Sequence, residues 1–256
     1  SGFSYLDENG EKPDTRDIAR IRSLAIPPAW HDVWICKDDC GHIQATGRDD
    51  RGRKQYRYHA DWTQQRSANK FETLIDFAKA LPGLRAQVET DLRKRSLGYE
   101  RVVASVVWLL DNSLIRVGNP AYARDNKSFG LTTLRNRHVD ITGHRLHFQF
   151  KGKSGKRWRL ELADRRIATI IRSLQELPGQ DLFKYEGESG YCPISSRDVN
   201  DYLAAFAGPG FAAKHFRTWA GTVRAFGLFA DTEVPETKTA QARSINAVID
   251  QVAARL

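Results

Sequence analysis

Residues 99–115, YERVVASVVWLLDNSLI, constrain the fold more than any other stretch. Apolar side chains recur there at helical spacing and cover more than one side of the helix. A helix of that kind has no face to offer to water. It must be wrapped by other elements and serve as the spine of a core. The run is still interrupted by charge, and no apolar stretch of the chain approaches the ~20 residues of a membrane-spanning helix. The expectation is a globular protein whose 256 residues fill one large domain or two smaller ones.

Upstream of the spine the pattern is β-rich. Asp14–Leu24 reads as a short amphipathic helix capped by Asp14 or Thr15. It cannot run on, because Pro27 disfavours the α region at Ile26. Residues 32–37, 42–46 and 55–59 alternate like strands, with turns at 38–41 and at the basic GRDDRGRK of 47–54. Side chains repeat every two residues in a strand, so Tyr56 and Tyr58 share a face. That face is either an aromatic core surface or, beside Arg48, Arg51, Arg53 and Lys54, a surface for a nucleic-acid backbone. Residues 60–80 read as a polar helix containing the passage between domains, and Pro82 as the start of another helix to about Arg95. The expected division is 1–64, a β-rich unit, and 65–256, a larger and mainly helical one. The predicted fold class is α+β.

Downstream, 122–134 carries turn signals followed by a short extended piece. Residues 145–150 and 157–162 alternate around the loop Lys151-Gly152-Lys153-Ser154-Gly155-Lys156, which predicts a β-hairpin. Helices are expected at 164–176 and, capped by Ser196, at 197–207, with a loop at 187–194 between them. The segment Lys214–Gly221, KHFRTWAG, lies in a strong helical pattern, with Phe211, Phe216, Trp219 and Val223 available to a buried face. A last helical pattern runs from Glu236 to Leu256, and the sequence stops inside it. Ser1-Gly2 reads as a processed start without secretory character, and the complete lack of Met has no physical account.

Lys and Arg outnumber Asp and Glu by 40 to 31, for a net charge of +9. That balance suits an anionic partner such as nucleic acid, and equally a merely basic protein. Three cysteines make no disulfide framework and fit a reducing compartment. Cys36 and Cys40 could form half a zinc site, but no second ligand pair follows at finger-like spacing, so no metal is expected. No P-loop, dinucleotide fingerprint or HExxH motif occurs. What remains is a set of cations in distinctive settings. Arg116 follows the spine, where it either complements the helix dipole or projects into a cleft. Lys153 sits at the hairpin tip, where it is either solvated or able to swing into a ligand. Lys214 and Arg217 lie three apart on one helix and so project from neighbouring positions. Two arginines can clamp the non-bridging oxygens of a phosphodiester, and a lysine can protonate a leaving alkoxide.

Six blocks stand in order: AIPPAWHDVWIC at 25–36, ATGRDDRGRKQYRYH at 45–59, LIRVGNPAY at 114–122, FGLTTLRNRHV at 129–139, FKGKSGK at 150–156 and KHFRTWAG at 214–221. With these the chain resembles the type IB DNA topoisomerases of the bacterial, poxvirus-like group over almost its whole length. The resemblance implies a monomer whose two domains clamp double-stranded DNA, with a catalytic domain of the topoisomerase IB and tyrosine recombinase type. It implies phosphate contacts in the transition state by Arg116 and Arg217, a general acid at Lys153 and a second catalytic lysine at Lys214. It further implies DNA contacts at Gln55, Tyr56, Tyr58 and Tyr122. Supercoils would be relaxed through a 3′-phosphotyrosyl link, with neither ATP nor a divalent metal and no other cofactor. The location implied is the bacterial cytoplasm, on the nucleoid.

One departure matters. The family's nucleophilic tyrosine lies beyond the final helical pattern, whereas the last tyrosine here is Tyr202. The resemblance therefore implies a chain that binds DNA and cannot cleave it, as if its C-terminal segment were missing. Two other readings stand beside it. A tyrosine recombinase shares the Arg–Lys–Arg logic but usually carries HxxR where Lys214-His215-Phe216-Arg217 reads KxxR. A non-catalytic DNA-binding module would need no tyrosine.

Overall fold

The structure is a computed structural model that describes residues 4–7, 9–188 and 190–256, with nothing described for the side chains of 67–70. The unusual start at Ser1-Gly2 lies outside the described residues. The chain divides into two compact units, Ser1–Thr73 and Leu74–Leu256, and the division falls inside one long helix, α2 (Ala60–Leu92). The fold class is α+β, with small antiparallel sheets and many helices.

The first unit opens with α1 (Thr15–Ser23), capped by the Asp14 carboxylate on the Asp17 N–H. Strands β1 (His31–Ile35), β2 (Ile43–Arg48) and β3 (Lys54–Tyr58) form an antiparallel sheet in that order. Gly47 lies under Trp30, where an added Cβ would come within 2.7 Å of the indole. The turn at 38–41 is gathered by Gln44, which donates to the carbonyls of Asp38, Asp39 and Gly41. Arg20 of α1 reaches the same point, donating to Gln44 and to the Cys36 carbonyl.

The spine of the second unit is α3 (Tyr99–Ser113), and its residues 102–107 are all buried, together with Leu109 and Leu110. Pro82 lies inside α2 instead of opening a new helix. Proline withholds the N–H that the Ala78 carbonyl would accept. Buried side chains on either side of it, Phe77, Leu81, Leu84 and Val88, hold the helix together across the gap. The first part of 122–134, expected as turns, instead belongs to a helix, α4 (Pro120–Asn126), because the Asn119 side chain caps it and Pro120 occupies its first position.

Strands β4 (Val139–Thr142), β5 (Arg145–Lys151) and β6 (Arg157–Ala163) make one antiparallel sheet. Its inner face, with Leu146, Phe148 and Phe150 on β5, joins the core. Helix α5 (Arg165–Glu176) follows, capped by Asp164. Residues 187–194, expected as a loop, belong to a hairpin of β7 (Lys184–Gly187) and β8 (Gly190–Pro193). The turn glycine Gly190 takes φ +119°, a conformation few other residues tolerate. Helix α6 (Ser196–Phe206) starts one residue earlier than expected. Its cap is Ser195, paired reciprocally with Asp198. Helices α7 (Lys214–Ala230) and α8 (Lys238–Arg255) close the chain. Phe216 is buried as expected, with its ring set edge-on against Phe77, but Val223 is 48% exposed and not part of the buried face.

Candidate functional site

The site is built outward from the end of α3. Leu114 ends that helix in the left-handed conformation, φ 58°. The Ser113 hydroxyl donates to the Leu109 carbonyl and accepts the Ile115 N–H. Residues 115–118 then run against the segment 130–132. The Leu131 N–H donates to the Arg116 carbonyl at 2.9 Å and the Thr132 N–H to the Val117 carbonyl at 2.8 Å. The Thr132 hydroxyl donates to the same Val117 carbonyl. The two backbones meet so closely at Gly130 that a Cβ would sit 2.5 Å from the Arg116 carbonyl oxygen. Arg116 thus has a fixed backbone and an exposed side chain, three residues past the helix.

Arg217 comes from α7. The start of that helix is held by neighbours: Asn200 accepts the Ala213 N–H, and His215 Nδ1 accepts the Ala212 N–H. Arg217 is only 9% exposed. Its guanidinium donates to the backbone carbonyl of Leu114 and to the main-chain oxygen of Leu256, the last residue of the sequence. Among the described residues no Asp or Glu side chain pairs with it. Burial, and after it the positive charge of Arg116, push its pKa down to about 10. Leu114 lies two residues before Arg116, so the Arg217 guanidinium sits beside the segment that carries Arg116. Among the described residues no Asp or Glu side chain forms an ion pair with either arginine.

Lys214 begins α7, exposed, one turn before Arg217. Lys153 is exposed at the tip of the β5–β6 hairpin, in a tight turn closed by the Gly152 N–H donating to the Lys156 carbonyl. Ser154 there is left-handed at φ 61°. Gly152 fits beneath Trp158, where a Cβ would fall 2.7 Å from the ring. The hairpin is tied to the Arg116 region by backbone: the Phe129 N–H donates to the Lys151 carbonyl at 2.8 Å. Among the described residues no hydrogen bond or ion pair links the Lys153 side chain to the other three cations.

The remaining predicted positions separate. Tyr56 and Tyr58 are 43% and 46% exposed, with rings stacked 6.0 Å apart, so their face is a solvent surface and not a core. Lys54 lies over the Tyr56 ring at 5.7 Å. Gln55 alternates to the other side of β3, and its amide donates to Asp49. Tyr122 is 62% exposed on α4, just past the Arg116 segment. Trp34, missed in the sequence, is exposed and aligned across the first sheet with Thr46 and Tyr56. A register irregularity between His31 and Trp34 hides it by breaking the alternation of β1. Among the described residues the one grouping of metal-ligating side chains is Asp38, Asp39 and Cys40, all exposed, and Cys36 is not part of it.

Residues 59–256 match the family described as eukaryotic DNA topoisomerase I, catalytic core, and residues 2–49 match the bacterial DNA topoisomerase IB N-terminal domain. The chain belongs to the type IB DNA topoisomerases. Among relatives, it is 36% identical over 224 residues to DNA topoisomerase 1B of Acanthamoeba polyphaga mimivirus, an alignment covering 86% of this chain and 67% of that protein. It is 26% identical over 159 residues to DNA topoisomerase 1B of Vaccinia virus strain Copenhagen, covering 59% of this chain and 51% of that protein. The chain thus spans about two thirds of the mimiviral topoisomerase and about half of the vaccinia topoisomerase. Both blocks around the two arginines, 114–122 and 214–221, fall within the catalytic-core match of this type IB chain.

Proposed function

We propose that this chain binds double-stranded DNA as a monomer and supplies the phosphate-activating half of type IB strand cleavage. The observation that carries the reading is that the buried Arg217 guanidinium bonds the Leu114 carbonyl, two residues before Arg116, and among the described residues no Asp or Glu side chain pairs with either arginine. A phosphodiester is the complementary partner, since each guanidinium can donate to one non-bridging oxygen. In the transition state those oxygens gain charge, and donors already in place stabilise them without reorganisation. Lys153 gives its proton to the leaving 5′-oxygen as the P–O5′ bond breaks, and Lys214 adds positive charge beside Arg217. A tyrosine loses its phenolic proton to water as its oxygen forms the new bond to phosphorus, so the bond energy is kept in the 3′-phosphotyrosyl link. The reverse step reseals the strand and a relaxed duplex remains. With the guanidinium groups of Arg116 and Arg217 supplying the charge stabilisation, the proposed step calls for neither ATP nor a divalent metal. Tyr56, Tyr58 and Gln55 in the first unit, and Tyr122 in the second, contact the duplex. The setting is the cytoplasm, where bacterial DNA lies.

The attacking tyrosine is not supplied by these 256 residues. Tyr202 is buried, and its hydroxyl donates to Asp91 at 2.7 Å. Burial and that carboxylate raise its pKa far above the ordinary range. Tyr99 is pushed up to about 12, mainly by burial. This favours a second reading for the chain taken alone, a DNA-binding module without cleavage. The test is a supercoil-relaxation assay on this chain in EDTA, beside a DNA-binding titration. Binding without relaxation is the expected result. Robust relaxation would overturn the assignment of the nucleophile outside the chain, and absence of binding would overturn the topoisomerase reading itself.

A further inference from the structure

The outer face of the β5–β6 hairpin divides into two halves of different character. Its facing pairs are Arg145 with Ala163, His147 with Glu161, Gln149 with Arg159 and Lys151 with Arg157. These side chains stand on the side away from Leu146, Phe148 and Phe150, which are buried. At the end remote from the tip the charges are matched: Glu161 accepts from Arg145 at 2.6 Å and lies 3.5 Å from His147. Toward the tip they are not. From Phe148 to Leu160 there is no Asp or Glu, but there are five cations. Lys156 lies over the Trp158 ring at 5.4 Å. Lys151, Arg157 and Arg159 are exposed, and among the described residues none is in an ion pair.

Lys151 and Arg157 face each other directly across the ladder, an arrangement that destabilises a sheet. Arg159 follows Arg157 on the same face at a repeat of roughly 7 Å. All three therefore lie within about one Debye length of each other at physiological salt. A strip whose three cations make no ion pair among the described residues, with Arg159 at the border beside Asp140 and Glu161, suits a linear polyanion.

We propose that Lys151, Arg157 and Arg159 form a second contact strip for the sugar–phosphate backbone of double-stranded DNA, separate from the Arg116–Arg217 clamp. The strip rests on the proposed function and deepens it: backbone laid along the hairpin delivers the adjoining phosphate to Lys153 at the tip. These contacts position DNA and carry no sequence information.

The experiment is a titration of a fluorescent duplex with the whole chain at several salt concentrations. The variants are Arg157→Gln/Arg159→Gln, the charge-keeping Arg157→Lys/Arg159→Lys, and a surface control, Arg197→Gln, whose side chain is 90% exposed on α6. The glutamine pair should reduce the slope of log affinity against log salt by about 2 and weaken binding roughly 30-fold at 0.15 M salt. The lysine pair and the control should keep the parent slope. The melting temperature of the DNA-free glutamine pair should not fall, because a repulsion is removed. A parent slope retained by the glutamine pair, or an equal fall in the control, overturns the strip and leaves the topoisomerase reading standing. No DNA binding by the parent chain overturns both.

Discussion

Arg217 is charged, buried and held by the main-chain oxygens of Leu114 and Leu256 instead of an Asp or Glu side chain. Lowering its pKa from the ordinary 12.5 to about 10 corresponds to about 3 kcal/mol of unfavourable environment for the charge. The sign follows from linkage: the penalty is in full force at every pH below about 10 and is relieved only as pH rises toward the unfolded value. The DNA-free fold therefore gains little from this charge. Arg217→Met should leave stability unchanged or raise it by about 1–3 kcal/mol in urea unfolding. A fall of that size would show that the carbonyl hydrogen bonds outweigh the burial. His138 behaves as a second marker. Its ring lies 4.4 Å from Phe129, and its Nδ1 accepts the Arg135 N–H. Burial first, then Arg137 and Arg135, push its pKa down to about 4. The unfolded chain takes up this proton first, so stability present at pH 7 is lost as pH falls from about 6.5 toward 4. Between pH 7 and pH 4.5 the parent should lose about 2–3 kcal/mol more than His138→Asn, which keeps an acceptor, again in urea. Parallel losses would contradict a neutral, buried imidazole.

At the scale of elements, the close meeting of residues 115–118 with 130–132 decides where Arg116 stands. The atoms nearest to a Cβ at Gly130 are all backbone atoms of Arg116 and Gly118, so no flexible side chain can yield. Gly130→Ala should cost about 1–3 kcal/mol by overpacking. Gly83→Ala, with nothing within 4 Å of the added carbon inside α2, should gain roughly 0.5–1 kcal/mol. Calorimetric melting of the two variants checks the contrast, and similar shifts would mean that the segment can move aside. The spine α3, the β5–β6 hairpin, α5 and α7 were readable because their apolar periods are strong and uninterrupted. Helix α4 was hidden: Asn119-Pro120 is also a turn signal, and only the structure shows the Asn119 side chain capping two N–H groups. Pro82 misled for a related reason, since local preference against a helix interior was overridden by tertiary burial. Strand β4 is short, and nothing in its sequence announces that Val139 pairs with Phe148.

For the whole molecule, the net charge of +9 becomes informative once it has a place to act. DNA affinity should fall steeply with salt, because each phosphate contact releases counterions, and a flat response in a binding titration would refute a surface lined with Lys and Arg. Local setting and motif order together picked out Arg116, Lys153, Lys214 and Arg217, but not how they are mounted. Residues 129–132 carry two attachments in succession: the Phe129 N–H holds the Lys151 carbonyl, and the Leu131 and Thr132 N–H groups hold those of Arg116 and Val117. Mechanically this is a yoke. A displacement of that short piece carries the hairpin and the Arg116 segment together, so their errors of position are shared. What stays free between them is the two-residue reach from Lys151 to Lys153, a play short enough to be taken up by one lysine side chain.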